Sequence, residues 1–334
     1  MMARTLKETV YYASNFLNQE TDCTTRDRPF ESSTEGRKTS IKDENNNENI
    51  QIREKTFSSN QDCLKTLGFK YTLNAPLEDI ENVRELLARQ QGHQNFRRDE
   101  WEFFKTDYDR MMKDDWLVTR FLLRGRKGNH SSASHGFVDS RTAQSCYAKT
   151  IELIKACARF RYEYRINALT EEKDFPTEWT KVRGMFHYRH DLVGNPVAYM
   201  RVGLHRPKLI EEEALRHEFK RYMLYVLEQC DKELFQRPGK ALCCVFDMSN
   251  VAFENIDLEL TTWMIKSFKN CAPKLLCYVI IYNPPWFFTA TFKIIRKTLL
   301  SNNKRQSIKF AYGDEILNFI EYINLPPYLR ETLS

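Results

Sequence analysis

The amino-acid sequence predicts an α/β fold in which helices flank a largely parallel sheet, with a helical subdomain preceding the sheet. The first observation is a pair of short apolar runs, at residues 241–246 and 275–281, each with the length of a strand buried on both faces. The second is the helical period of apolar residues over 211–235, just before the first run. Strands that alternate with amphipathic helices favour a parallel sheet with helical crossovers.

The first part of the chain divides into a polar region and a helical subdomain. Residues 20–59 are rich in Asn, Glu, Ser, Thr, Lys and Arg. Such a segment buries too little apolar surface to offset the entropy of ordering, so we expect residues 1–75 to be mostly disordered. From Pro76 onward, helical spacing predicts a helical subdomain over residues 76–170. Gly, Ser, His and Asn predict a flexible insertion at 125–142.

Residues 176–330 are predicted to contain the sheet. A long helix over residues 144–169 precedes it, and a closing helix is expected at residues 315–322. Asp257 is expected to cap the helix that ends before Pro273. The expected strands are residues 185–188, 197–202, 241–246, 275–281 and 307–312.

One stretch combines a buried strand, a hard turn and a helix. Asn283-Pro284-Pro285 ends the strand of residues 275–281, because proline lacks the N–H that a sheet ladder needs and disfavours helix at the residue before it. A helical period begins directly after the turn. Its apolar face carries Phe288, Phe292, Ile295 and Leu299, whereas Lys293, Arg296 and Lys297 lie off that face.

Ordered motifs run through the second half of the chain. They are Phe246-Asp247-Met248-Ser249, Asp257-Leu258-Glu259, Pro273, Leu276, Asn283, Pro285 and Trp286. Together they resemble the CRAL-TRIO lipid-binding family, and most closely the CRAL-TRIO module of the motile-sperm-domain-containing proteins. The resemblance implies a CRAL-TRIO-like sheet with a lipid cavity and a mobile gate helix, which here is the helix that follows Trp286.

The amino-acid composition indicates which partners and which cellular location to expect. The formal net charge of +6 favours anionic surfaces, but no Lys/Arg-rich block has the spacing of a nucleic-acid motif, so we expect no nucleic-acid partner. Nine cysteines without a C-x-x-C pair favour a reducing, intracellular setting. Asn283-Pro284-Pro285 interrupts the one long apolar stretch, so no bilayer span is expected. We expect a cytoplasmic protein that is peripheral at membranes.

Candidate catalytic residues are few. The sequence contains no G-x-S-x-G, H-E-x-x-H, G-x-x-x-x-G-K or G-x-G-x-x-G motif. Cys230 and Arg237 are separated by one residue too many for a phosphatase loop, and His187, His190 and Asp191 are interpreted as solvated polar residues of a strand and its turn. We therefore expect no enzyme activity, no metal site and no cofactor.

The resemblance and the residue pattern together predict binding, and intermembrane transfer, of a phospholipid or another small hydrophobic ligand. Phe246, Val279 and Ile281 are the predicted floor of the cavity, and Phe288, Phe292, Ile295 and Leu299 its movable wall. The predicted contacts with headgroups and with a transiently bound anionic membrane are Lys293, Arg296, Lys297 and Lys274. Inositol-lipid transfer proteins of the family carry an acidic residue where Lys274 stands, so weak selectivity for phosphatidylinositol is expected.

A second interpretation stays open at this point. The chain could be a protein-interaction scaffold that keeps the fold but fills the cavity with side chains. The large residues Trp263, Phe268, Phe287 and Phe288 are compatible with that alternative. The two interpretations differ in whether the purified protein carries a lipid.

Overall fold

The computed structural model describes residues 75–89, 98–126, 140–169, 175–176, 179, 183–288 and 308–333. Two units are distinguished among the described residues: residues 75–175 with 184–333, and residues 176–183. In the second of these units the structure describes residues 176, 179 and 183. The helical layer and the sheet both belong to the first unit.

A layer of helices precedes the sheet in the chain, and apolar side chains of these helices form a shared buried core. Asp114 caps the third of them, because its carboxylate accepts a hydrogen bond from the Leu117 N–H at 2.9 Å. Val83, Leu122 and Ile154 are completely buried where the helices meet. Within the described ranges, no helix is both long enough and apolar enough to cross a bilayer. The helices are α1 (Leu77–Arg89), α2 (Arg98–Met111), α3 (Asp115–Gly125) and α4 (Ser140–Glu163).

The break between α3 and α4 is shorter than the insertion predicted at residues 125–142. Gly125 is the last residue of α3 and Ser140 is the first residue of α4. The two helices approach closely there, since a Cβ added to Gly125 would collide with the Thr150 hydroxyl. Residues 127–139 of the predicted insertion, and residues 1–74 of the region predicted to be disordered, lie outside the described residues.

The sheet has five strands in the order β1-β2-β3-β4-β5. The hairpin partners β1 and β2 are antiparallel, and every other pair is parallel, which confirms the predicted largely parallel sheet. Helix α5 (Glu213–Phe235) connects β2 to β3, and helix α6 (Leu258–Cys271) connects β3 to β4. The strands are β1 (Met185–His190), β2 (Pro196–Arg201), β3 (Leu242–Asp247), β4 (Leu276–Tyr282) and β5 (Ile308–Ala311).

Each face of the sheet is covered by a different segment of the chain. Helix α5 packs on β1 and β2, where the Tyr222 hydroxyl donates a hydrogen bond to the Met185 carbonyl at 2.7 Å. The C-terminal segment covers the opposite face, where the ring of Phe319 lies 6.2 Å from that of Tyr278 and the ring of Tyr328 lies 6.4 Å from that of Phe186. At β2, where residues 196–200 are all buried, both faces of the sheet are therefore withdrawn from water, as a parallel sheet requires.

Two predicted helices differ from the structure. The helix predicted for residues 144–169 ends at Glu163, because Arg165 adopts the left-handed conformation at φ 53° and a 3₁₀ turn (Ile166–Ala168) follows. The closing helix predicted for residues 315–322 is wrong. That segment forms two 3₁₀ turns, and an α-helix, α7 (Pro327–Thr332), follows with proline at its first position.

A buried set of ion pairs joins α5 to the helical layer. The Asp231 carboxylate on α5 accepts hydrogen bonds from Arg110 at 2.6 Å and from Arg120 at 2.7 Å. Burial opposes ionisation of Asp231, but the two guanidinium groups lower the pKa of Asp231 well below its ordinary value. Arg120 is itself only 2 % exposed, so these charges are shielded from water and depend on one another.

A second group in the same interface centres on Arg161 of α4. Its guanidinium donates to Glu228 of α5 at 2.8 and 3.0 Å and to Asp107 of α2 at 2.9 Å. A cavity of about 80 Å³ lies among these side chains. A cavity of this size holds at most a few water molecules and is far too small for a lipid.

We expect Arg161→Met to lower the free energy of unfolding by about 3–5 kcal/mol, because Asp107 and Glu228 would stay buried without their shared partner. Urea unfolding measures the effect. The control is Arg89→Met, which breaks an exposed pair with Glu85 and is expected to cost about 0.5 kcal/mol or less. Equal costs for the two variants would contradict a structural role of the buried group.

Candidate functional site

Five apolar side chains share one face of the sheet over β3, β4 and β5, and we call them the apolar strip. In a parallel sheet, residues in register point to the same side. The pairing of Phe246 with Ile281 and of Ile281 with Phe310 forms one row, and Val279 pairs with Ile308 in the next row. The predicted floor residues Phe246, Val279 and Ile281 are thus brought together on a single face.

The apolar strip is only partly withdrawn from water. Ile281 is buried at 6 % exposure, whereas Phe310 is 42 % exposed and Phe246, Val279 and Ile308 are half-buried. The strip continues the face that α5 covers at the other end of the sheet, because Phe246 is in register with Met200 of β2. An apolar surface therefore remains partly open at the end of the sheet away from the hairpin.

The turns at the carboxyl ends of the strands are joined by one side chain, Asn283. Its amide group donates to the Ser249 hydroxyl at 3.2 Å, and its Oδ1 accepts from the Gly313 N–H at 3.0 Å. Asn283 has φ 48°, a left-handed conformation that asparagine tolerates better than most residues. The residue thus links the ends of β3, β4 and β5, at the edge where open α/β sheets bind ligands.

The other predicted contact residues are not all brought to this edge. Phe288 is buried in the turn after β4, where its N–H donates to the Pro285 carbonyl at 2.9 Å. Lys274 precedes β4 and therefore lies at the opposite end of that strand from Phe288. The remaining predicted wall and headgroup residues, Phe292, Ile295, Leu299, Lys293, Arg296 and Lys297, lie outside the described residues.

The residues considered as catalytic candidates are buried or paired with other side chains of the fold. Burial raises the pKa of the Cys230 thiol well above its ordinary value, which disfavours the nucleophilic thiolate. The Nε2 atom of His187 lies 3.1 Å from the Glu233 carboxylate, and His190 contacts the same carboxylate. Among the described residues, no group of three or more His, Cys, Asp and Glu side chains is arranged to hold a metal ion.

Asp191 corrects one interpretation from the sequence, because it is buried rather than solvated. Its carboxylate accepts hydrogen bonds from the N–H groups of Val193 and Asn195 at 3.0 and 2.8 Å, which shape the turn between β1 and β2. The Tyr278 hydroxyl also donates to it at 2.7 Å. The residue therefore fixes the hairpin to β4.

Ile308 and Phe310 join the predicted floor residues on this face, although neither is among the predicted site residues. The alternation of Ile308, Lys309 and Phe310 was an available signal, because residues two apart on a strand share a face. The pattern could not show which face of the sheet they join, since that depends on their register with Val279 and Ile281.

Asn283→Ala and Asn283→Gly distinguish the stability provided by the Asn283 hydrogen bonds from the cost of the left-handed backbone conformation at residue 283. Both variants lose the hydrogen bonds to Ser249 and Gly313, which we expect to cost about 1–2 kcal/mol in the free energy of unfolding. Alanine also places a Cβ at φ 48°, for about 1 kcal/mol more. Chemical denaturation of both proteins measures the difference. A glycine variant as unstable as the alanine variant would show that the backbone conformation is unimportant.

The part of the chain that contains the sheet is similar to a known family. The family model described as CRAL/TRIO domain matches residues 181–329. A CRAL-TRIO domain-containing protein of Schizosaccharomyces pombe is 26 % identical over 278 residues, which cover 83 % of this chain and 56 % of the relative. Patellin-6 of Arabidopsis thaliana is 24 % identical over 187 residues, which cover 53 % of this chain and 44 % of the relative.

The chain thus spans about half the length of the curated relatives it matches. A solved structure, the crystal structure of Sfh5, matches with a TM-score of 0.40 at 18 % identity, over 49 % of this chain and 61 % of that chain. The more specific resemblance to the motile-sperm-domain-containing proteins stays a prediction. Residues 181–329 of this chain are thus similar to the CRAL/TRIO domain family, in agreement with the motifs of the second half of the chain.

Proposed function

We propose that this protein binds a lipid or another small hydrophobic ligand against the apolar strip and carries it between membranes. CRAL/TRIO domains as a family bind such ligands, which supports the general class. The observation that carries the proposal is the strip itself: five apolar side chains in two adjacent rows, partly exposed, on β3, β4 and β5. Parallel sheets rarely leave such a face to water.

The physical reason for a carrier is the cost of exposing an acyl chain to water. Burial of each methylene is worth about 0.8 kcal/mol, so a chain of about fifteen methylenes gains roughly 12 kcal/mol from a dry site. The Phe246, Val279 and Ile281 side chains supply apolar surface of that kind and no charge. A site with this chemistry selects for hydrophobicity and gives little selectivity for a headgroup.

The wall and the membrane contacts belong to the same proposal. Phe288 is buried at the start of the wall, and Phe292, Ile295 and Leu299 continue it by helical spacing. Lys293, Arg296 and Lys297 are the proposed contacts with anionic headgroups, at about 1 kcal/mol for each basic residue near the surface. Lys274 stays a separate candidate, because it lies at the other end of β4. The protein acts in the cytoplasm and visits membranes peripherally, without catalysing a reaction.

Native mass spectrometry of the purified full chain tests ligand binding directly. We expect the wild type to carry a stoichiometric lipid. Val279→Trp should reduce the occupied fraction at least about tenfold, because the larger side chain fills the surface against which the ligand packs. The matched control is Leu77→Trp, which places the same side chain at an exposed site on α1. An empty wild-type protein would instead favour the protein-interaction scaffold.

Transfer is tested separately with Phe292→Asp. We expect this variant to lose exchange of fluorescent phosphatidylcholine between vesicles while its far-UV circular dichroism is unchanged, because a carboxylate cannot close an apolar wall. Ala290→Asp is the control, since helical spacing places residue 290 opposite the Phe292 face. Equal transfer by wild type and Phe292→Asp would remove residue 292 from the proposed wall.

A further inference from the structure

Three aromatic residues form a cluster beyond the carboxyl ends of β3 and β4, and we call Phe253, Trp286 and Phe287 the aromatic cluster. The rings of Phe253 and Phe287 are stacked with their centroids 4.0 Å apart. The Trp286 ring meets that of Phe287 edge-on at 5.9 Å. Trp286 is nevertheless 86 % exposed and Phe253 67 % exposed. Large aromatic side chains of soluble proteins are usually more deeply buried than this.

The backbone that carries the cluster is firmly held. Phe253 begins a 3₁₀ turn whose buried Asn255 donates to the carbonyls of His205 and Gly203 at 2.7 and 3.3 Å. Trp286 follows Pro284 and Pro285, whose fixed φ angles restrict the turn. The exposed rings are therefore presented by ordered turns and have little conformational entropy to lose on binding.

The chemistry of the cluster suits the interfacial region of a bilayer. A Trp ring has a large apolar body and an indole N–H that needs a hydrogen-bond acceptor when it is buried. Phospholipid carbonyl and phosphate groups supply that acceptor next to apolar chains, which is why Trp is enriched at the headgroup level of membrane proteins.

Local charge indicates which lipid surface the cluster fits. The two turns, residues 248–258 and 283–288, contain no Lys or Arg. They do contain an exposed acidic side chain, Glu254, next to Phe253 in the chain. Attraction to anionic lipid therefore does not arise from these turns, and a zwitterionic surface avoids repulsion of Glu254.

We propose that the aromatic cluster is a docking surface that inserts into the interfacial region of zwitterionic, phosphatidylcholine-type membranes. This inference rests on the proposed function. Docking would bring the row formed by Phe246, Ile281 and Phe310 close to the bilayer from which the ligand is taken. The contribution of the aromatic cluster to the free energy of membrane binding is hydrophobic and insensitive to salt. It is separable from the electrostatic contribution assigned to Lys293, Arg296 and Lys297.

The test measures binding of the full chain to phosphatidylcholine vesicles. Binding is monitored by tryptophan fluorescence, with bromine-labelled acyl chains as the quencher. We expect Trp286→Ser to weaken binding at least about tenfold at low and at high salt, because a buried Trp ring withdraws roughly 150–250 Å² from water. Phe253→Ser should act in the same direction. Leu77→Ser, an exposed apolar residue on α1, is the control and should bind like the wild type.

Quenching assigns the contact to one residue among the five Trp of the chain. We expect bromine quenching in the wild type and its loss in Trp286→Phe. Unchanged binding by Trp286→Ser, or quenching that persists in Trp286→Phe, would overturn the docking proposal. A wild type that binds a protein from solution but no phosphatidylcholine vesicle would overturn it as well.

Lipid occupancy of the same samples distinguishes this inference from the proposed function. Because Trp286 is largely exposed, Trp286→Ser should keep the bound lipid and the wild-type unfolding midpoint while docking is lost. A lipid-loaded wild type that does not bind vesicles would refute docking and leave ligand binding intact. An empty wild type would refute ligand binding, whatever the vesicle result.

Discussion

The requirement that a parallel sheet be covered on both faces governs this molecule. Strands β2 to β4 are largely apolar on both sides, so each side needs a partner before the chain can fold. Helix α5 meets that need on one face at β1 and β2, and the C-terminal segment meets it on the other. The apolar strip is the part of the first face that lies beyond α5. Its availability for a ligand is therefore a consequence of how the sheet is covered.

Helix α5 has partners on two opposite sides, and each side uses a different chemistry. Tyr222 and Glu233 point toward the sheet, where they meet Met185 and His187. Glu228 and Asp231 lie on the opposite side, facing the arginines of the helical layer. Because each of these charges is costly unless paired, the network admits few alternative positions of α5. The helical layer thus fixes the helix that limits the apolar strip.

The carboxyl edge of the sheet concentrates the features that point to function. Asn283 ties together the turns that follow β3, β4 and β5, and the aromatic cluster is carried by the first two of those turns. The apolar strip ends at the same edge, with Phe246 adjacent to the last residue of β3. The proposed ligand surface and the proposed docking surface therefore meet within a few residues, which would give a lipid a short route between them. Lys274 lies at the other end of β4 and is not part of this arrangement.

The sequence by itself determined the fold class, the turn at Asn283-Pro284-Pro285, the cap at Asp257 and the two buried strands that carry Phe246, Val279 and Ile281. These features depend on neighbours within a few residues, which periodicity and turn chemistry report. Only the tertiary structure decided that Ile308 and Phe310 join the same face, because register is a relation between separate strands. It likewise paired Arg110 with Asp231, 121 positions away, and formed 3₁₀ turns where a closing helix was predicted. Local pattern carries no information about partners so distant, and packing against the sheet outweighs weak helical propensity in a short segment.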